Sequence, residues 1–271
     1  MAYARCMKST PLHTRVVLAM ALLLPVYFAV AALGTRFGLW DWRTGLGFLT
    51  ITAGPIILGV AALLAFLSLA TVLRKKPRVG RLPAFIALAI PLAIFGSLAV
   101  IRSQASAIPP IHDIATDTAE PPQFSAARLA ARAAVNANAL SDYARPLGEL
   151  EPWRDADSAL ATRSHAEIIQ ASYPQLKPVP LGSSSRAQTL EAVSAAMEEM
   201  GFEEVTIDAG AGRVEGVAQT FWFGFKDDVV ARVRDDRIDF RSVSRVGLSD
   251  LGANAARIEE LRHRVADRIA S

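Results

Sequence analysis

The chain reads as an α+β protein: an N-terminal three-helix transmembrane bundle, then a soluble domain whose antiparallel sheet is packed by helices. Three observations predict this. Residues 1–106 hold three long apolar stretches and form the anchor, leaving 107–271 as one domain of ordinary size. Those first residues carry eleven Lys and Arg against one acid, Asp41, whereas the remainder carries eighteen against twenty-five Asp and Glu, so a portion near +10 precedes one near −7. Beyond the anchor an amphipathic helix, four strand-like runs and a last helix succeed one another.

The apolar stretches cover about 16–34, 46–73 and 82–101, and none contains Asp, Glu, Lys, Arg or His. Each reaches the roughly 20 residues needed to cross about 30 Å of hydrocarbon. A charge at a helix centre costs about 2.5 to 3.5 kcal/mol there, so spanning is favoured. Pro25, Pro55 and Pro91 read as tolerated kinks rather than transport-path breaks, since only Thr50, Thr52 and Ser68 interrupt the second stretch. Ala61/Ala65 and Ala89/Ala93 offer small residues for close helix packing.

Orientation follows from the connections. Arg5, Lys8 and Arg15 precede the first helix, and Arg74, Lys75, Lys76, Arg78 and Arg81 fill the turn between the second and third. The positive-inside rule makes that side cytoplasmic. The connection holding Trp40 and Trp42 then faces out, as does the domain after three crossings. The expected location is the bacterial inner membrane, multi-pass, with a periplasmic domain. Cleavage of a secretory signal near Ala29-Val30-Ala31 is the competing expectation, and it leaves the domain on the same side.

Within the domain, Pro109-Pro110 and Pro121-Pro122 stiffen the junction 103–124, and an Ala-rich helical segment follows. Ser185 and Gln188 have capping-box spacing. Leu190, Val193, Met197 and Met200 mark one face, and Gly201 stands where a left-handed residue ends the helix. Strands are expected over 204–208, 213–225, 229–234 and 237–243, with Val217, Phe221, Phe223 and Phe225 as an apolar face and Asp235-Asp236 as a hairpin turn. Ile258, Leu261, Val265 and Ile269 give the last helix, about 250–269, its buried stripe.

Chemistry is read mostly by exclusion. The domain has no cysteine, because the one thiol is Cys6, and it has no phosphate loop, nucleophile elbow or paired-histidine zinc helix. Its acidity argues against nucleic acid. His165 and His263 are expected at the surface. His112 with Asp113, Asp117 and Glu120 has ligands for a divalent cation but also reads as a capped acidic turn, and without a second ligand cluster no metal and no cofactor are expected. Near the C-terminus Arg241, Ser242, Ser244, Arg245, Asp250, Asn254 and Arg257 form a dense polar run. Alternation sends Arg241 one way and Ser242 the other. Two guanidiniums and an amide suit a carboxylate or phosphate. The favoured reading is instead that Asp227, Asp228 or Asp250 pair with the Arg residues and staple strand, loop and helix together. Arg241, Arg245, Asp250, Asn254, Arg257, His112 and Asp117 remain the candidate ligand-binding residues; no catalytic residue is expected.

The segments FGFKDDVVARV (223–233), DFRSVSRVGLSDLGAN (239–254) with Arg257-Ile258, IHDIATD (111–117) with PPQF (121–124), and GLWDWRTG (38–45) resemble the bacterial and plant family called domain of unknown function 1499, in its longer membrane-anchored members. The cysteine that shorter members often carry at the domain start is absent. The resemblance implies no activity, but makes the polar run a family feature. The leading expectation is a non-enzymatic binding or scaffolding domain with an envelope protein partner. The rival is an exported enzyme or small anionic-ligand receptor using Arg245, Asp250 and Asn254.

Overall fold

The computed structural model describes residues 10–76 and 78–270. Arg5, Cys6 and Lys8 lie outside the described residues. Packing divides the chain into two compact units: one running to Ser106 and taking in the turn Phe221–Gly224, the other formed by Ala107–Thr220 and the chain from Phe225 on.

The first unit contains α1 (Leu12–Arg36), α2 (Gly54–Arg74) and α3 (Arg81–Ser106), with an eleven-residue π-helical segment, Arg43–Ala53, leading directly into α2. Three helical spans, 12–36, 43–74 and 81–106, are long and apolar enough to cross a membrane. The wide turns before α2 leave Thr50 and Thr52 hydroxyls donating five residues back, to Gly45 O at 2.8 Å and Gly47 O at 3.0 Å. Pro55 falls in the first turn of α2, where its missing N–H is harmless. Pro25 and Pro91 lie inside α1 and α3. Small residues bring the helices together: Ala21, Ala65 and Ala87 meet around Val17, and Ala61 meets Leu24 and Leu58. Ala61 and Ala65 thus serve as the sequence implies, whereas Ala89 and Ala93 face outward. The packed stripe of α3 is Ala84, Ala87 and Pro91, whose spacings of three and four follow the 3.6-residue period. Ser68 is not an isolated break, because its hydroxyl lies 3.1 Å from Thr14 Oγ1 and 2.9 Å from His13 Nδ1, tying α2 to α1.

The second unit is α+β. Its elements are β1 (Asp113–Ala115), α4 (Ala126–Ala134), α5 (Ser158–Ala161), α6 (His165–Ser172), β2 (Val179–Pro180), α7 (Arg186–Glu199), β3 (Glu203–Asp208), β4 (Arg213–Gln219), β5 (Lys226–Val233), β6 (Arg237–Ser244) and α8 (Ala253–Ala270). The sheet runs β1-β6-β5-β4-β3, with β2 beside the other half of β6, and every pairing is antiparallel. Helices α7 and α8 cover one face: Leu190, Val193, Met197, Ile258, Leu261 and Val265 pack with Val214, Ala218, Val229, Ala231, Ile238 and Phe240. Each of these Val, Leu, Ile, Met and Phe side chains removed from water contributes about 1.5–3 kcal/mol, more than propensity supplies.

Local signals place these elements as expected. Ser185 and Gln188 close a reciprocal capping box at α7, and Gly201 takes φ +74° just beyond its end. Arg234 N–H donates to Arg237 O at 2.8 Å, closing the Asp235-Asp236 turn. Strand β4 differs. It stops at Gln219, and Thr220 N–H turns back to Phe225 O at 2.9 Å. The helix-covered face is therefore Val214, Gly216 and Ala218, the opposite alternation from Val217, and the aromatic run 221–225 forms a turn rather than a sheet face.

Candidate functional site

The other face of the sheet carries alternating charge and is nonetheless buried. By register, Glu215 of β4, Asp228 and Arg232 of β5, Asp239 and Arg241 of β6, and Asp113 of β1 point the same way. Residues 116–140, with α4, lie over them and supply Arg128, Arg132 and Phe124. Glu215 anchors this cover by accepting from the Ser125 N–H at 2.5 Å and hydroxyl at 2.6 Å, while Ser125 caps α4.

Two hubs organise the layer. Asp228, with no exposed surface, accepts from Arg132 at 2.6 Å and is gripped by both Nε (2.9 Å) and Nη2 (2.7 Å) of Arg245; Arg128 stands 3.7 Å away. Asp113, equally enclosed, takes Nε and Nη2 of Arg241 at 2.9 and 2.7 Å, the Tyr143 hydroxyl at 2.7 Å and the Ser141 N–H at 2.9 Å. Burial pushes the Asp113 carboxyl up, but the Arg241 charge and these donors overcome it and hold it below the usual range. The Arg241 guanidinium also lies 5.3 Å from the Tyr143 ring centre and is held in its charged form. A cavity of about 500 Å³ opens beside this hub, bordered by Arg241, Tyr143, Ser141, Leu140 and Gln170.

The helix-covered face holds a third network. Ser242 Oγ donates to Asn254 Oδ1 at 2.6 Å, and Asn254 Nδ2 donates to His112 O and Ser244 Oγ. Arg257 reaches Ser242, Asn254 and, at 2.7 Å, Asp227. Asp250 accepts from the N–H groups of Gly252 and Asn254 in the turn before α8. Burial outweighs those two donors and raises its carboxyl to about 6, aided by the charge of Asp227.

The polar run is therefore brought together, but as staples: Arg241, Arg245 and Arg257 each close on a carboxylate of the same domain. Arg241 and Ser242 diverge as alternation requires. Asp117 does not join Arg245. It sits at the other end of β6, where its carboxylate meets Arg237 at 3.1 Å and Arg232 at 3.4 Å and its Oδ1 caps the amides of Ala119 and Glu120. These side chains are spread over different partners: Asp117 on Arg237 and Arg232, Arg245 on Asp228, and Asn254 on Ser242, Ser244 and the His112 backbone. Among the described residues no three His, Cys, Asp or Glu side chains converge as a metal site.

Histidine placement corrects the sequence reading in one case. His263 is exposed, but His165 is fully buried in an aromatic block with His112. The His112 ring stacks on Trp153 (5.5 Å, 6°), and His165 meets the edge of Trp153 (5.2 Å, 79°) and lies 5.5 Å from Tyr143. None of the four ring nitrogens closes a hydrogen bond among the described residues, although the backbone of Ala139 and Leu248 favours the charged form of His112. Burial lowers His112 and holds His165 at about 4, with Asp113 opposing and His112 and Arg241 reinforcing the latter shift.

A pH prediction follows. His165 titrates near 6.5 when unfolded and near 4 when folded, so below 6.5 the unfolded chain binds the extra proton and stability falls with pH until about 4. Asp250 works against this, because its raised value makes the folded state the proton binder between 3.8 and about 6. Between these two groups the slopes largely cancel, while His112 and Asp113, both held below their ordinary values, still weaken the fold as pH falls. Replacing His165 with Leu removes its slope: the stability of the variant relative to wild type is expected to improve by about 3 kcal/mol between pH 6.5 and 4. Denaturant midpoints across that range check it; a pH-independent difference refutes it.

Sequence reasoning named Asp228 as a pairing partner for the Arg residues and Asp113 only as a cation ligand or turn cap; it missed Glu215, Arg128, Arg132 and Tyr143. The available signal was opposite charges at matching positions of neighbouring strands, as where Arg232 registers with Asp239. No curated protein and no solved structure matches the chain. Residues 113–265, holding all six strands and both hubs, match the family described as Protein of unknown function (DUF1499), and the chain belongs to that family.

Proposed function

We propose that the chain is a multi-pass protein of the bacterial inner membrane whose C-terminal domain stands on the periplasmic side as a non-enzymatic binding or scaffolding module. One observation carries the binding-module reading: the guanidiniums best suited to an external anion, Arg241, Arg245 and Arg257, are already closed on Asp113, Asp228 and Asp227. The polar run then stiffens the domain, leaving the outer surface for a partner. The rival reading, an exported enzyme or small anionic-ligand receptor at Arg245, Asp250 and Asn254, would have to break these pairs to use them. The proposed orientation rests on Arg74, Lys75, Arg78 and Arg81 at the turn between α2 and α3.

Two measurements test this. Alkaline phosphatase fused after Ser271 is expected to be active and a fluorescent protein fused there to be dark; the reverse pattern refutes the periplasmic placement. Chemical cross-linking of the full chain in cell membranes is expected to give a discrete adduct with an envelope protein. Adducts only with itself, together with a co-purifying small anion released by Arg245→Ala, would favour the receptor.

A further inference from the structure

The end of β4 and the turn that follows it form an uncharged stretch between charged neighbours. Residues 216–225, GVAQTFWFGF, contain no ionisable side chain, although charged residues flank them at Glu215 and Lys226. At its tip Phe221 is 68% exposed and Trp222 is 55% exposed, and their rings meet edge to face at 5.2 Å. Arg36 of α1 lies 5.6 Å over the Phe221 ring and donates to Phe221 O at 2.8 Å, yet both rings stay more than half exposed, an apolar pair of the kind that marks a contact surface.

The turn is also built to hold its shape. Thr220 N–H donates to Phe225 O, Phe225 N–H donates to Thr220 Oγ1 at 2.9 Å, and Gly224 takes φ +67°, a region that favours glycine. The rings are therefore presented by a closed loop, so little ordering entropy is spent on contact.

The chain itself names the partner. Only residues 107–112 separate α3 from β1, a tether of at most about 20 Å. A bilayer crossed by α3 is thus always within reach of the domain. By packing, Phe221–Gly224 groups with the helical unit rather than with the sheet that it joins. The connection after α1 carries Trp40 and Trp42, the amphipathic residues that settle at a membrane interface.

We propose that the Phe221-Trp222 tip inserts into the interfacial region of the bilayer, giving the domain a second, non-covalent membrane contact. Lipid is its partner, through the headgroup–acyl boundary rather than through a particular headgroup, because the loop offers apolar rings and no charge. Such a contact orients the domain, with the β4–β5 end toward the membrane and the β5–β6 turn, at the opposite end of the same strands, away from it. At about 3.4 Å per residue the eight residues of β5 separate those ends by about 25 Å. The inference rests on the three helices spanning a bilayer, and not on which side the domain occupies.

The test uses the full chain with Cys6→Ser, reconstituted into lipid nanodiscs with or without brominated phosphatidylcholine. An environment-sensitive fluorophore is placed at Phe221→Cys, at Trp222→Cys as a second tip position, or at Asp235→Cys in the distal turn. Tip emission is expected to be blue-shifted and quenched several-fold more by brominated lipid than emission from position 235. Equal and weak quenching at all three positions overturns the proposal. So does strong tip quenching that persists when the lipid is replaced by unbrominated detergent, since the quencher would then not be the bilayer. A chain that fails to enter nanodiscs refutes the membrane reading itself and is recognised by its elution apart from lipid.

Discussion

Replacing Asp228 with Asn is expected to lower the stability of the soluble domain by about 3–5 kcal/mol, the range for removing one partner of a buried ion pair. The side chains are nearly isosteric, so packing is not the cause. Asp228 has no exposed surface and faces three guanidiniums, Arg132 at 2.6 Å, Arg245 at 2.7 Å and Arg128 at 3.7 Å. Arg128 retains Glu204 at 2.5 Å, but Glu204 is half exposed, and Arg132 and Arg245 lose their common counter-charge. An amide carries no charge, and with its oxygen kept toward Arg132 and Arg245 Nε its NH2 would face Arg245 Nη2, donor against donor. The same residue ties α4 to the end of β6, hence the loss is expected to loosen the whole cover over residues 116–140. For a domain of this size, 1 kcal/mol shifts Tm by roughly 2–4 °C, which puts the expected fall near 10 °C or more. Asp208→Asn is the control: its pair with Arg213 is at 2.7 Å but Asp208 is half exposed, and surface pairs contribute about 0–1 kcal/mol. Near-ultraviolet circular dichroism of the full chain in detergent measures both. Equal small shifts for the two variants would mean that Asp228 is not a hub.

The contrast between these two acids shows why only part of the fold was legible in the sequence. Signals carried by neighbouring residues were readable: the Ser185/Gln188 box, the stop at Gly201, the stripe of α8 and the opposite directions of Arg241 and Ser242. Each depends on spacing along one chain segment. Charges alternating with apolar residues in β5 and β6 read ordinarily as a wet face. Here they are buried because residues far away in sequence, Ser125, Arg128 and Arg132, arrive with matching charge and hydrogen bonds. That match exists only once the register is set. The aromatic run after Gln219 misled for a related reason: period-two spacing of Phe221, Phe223 and Phe225 looks like a strand, and only the Thr220–Phe225 hydrogen bonds show a turn. His165 was misplaced because its company, Tyr143 from a loop and Trp153 from the short helical turn Glu151–Trp153, is not adjacent to it in sequence.

Arg241 and Asp113 allow a sharper experiment than either residue alone. Arg241→Met is expected to cost about 3–5 kcal/mol, because it strands a carboxylate that is wholly enclosed, and Asp113→Asn is expected to cost a similar amount by stranding the guanidinium. The double variant is expected to lose clearly less than the two losses added, since Met and Asn leave no buried charge behind and the methionine stem can follow the path of Arg241 between Phe124 and Tyr143. What remains lost is the set of donors that converge on Asp113, chiefly the Tyr143 hydroxyl and the Ser141 N–H. Those bonds hold residues 140–143 against β1, and that segment borders the cavity beside Arg241. Hydrogen exchange at 140–143 should therefore rise in Asp113→Asn more than in Arg241→Met, even where global stabilities are alike. If the two single losses add fully in the double variant, the side chains do not act as a pair. The buried layer would then be a collection of independent contacts, and the rigid frame that the binding-module reading needs would have to come from the α7–α8 core alone.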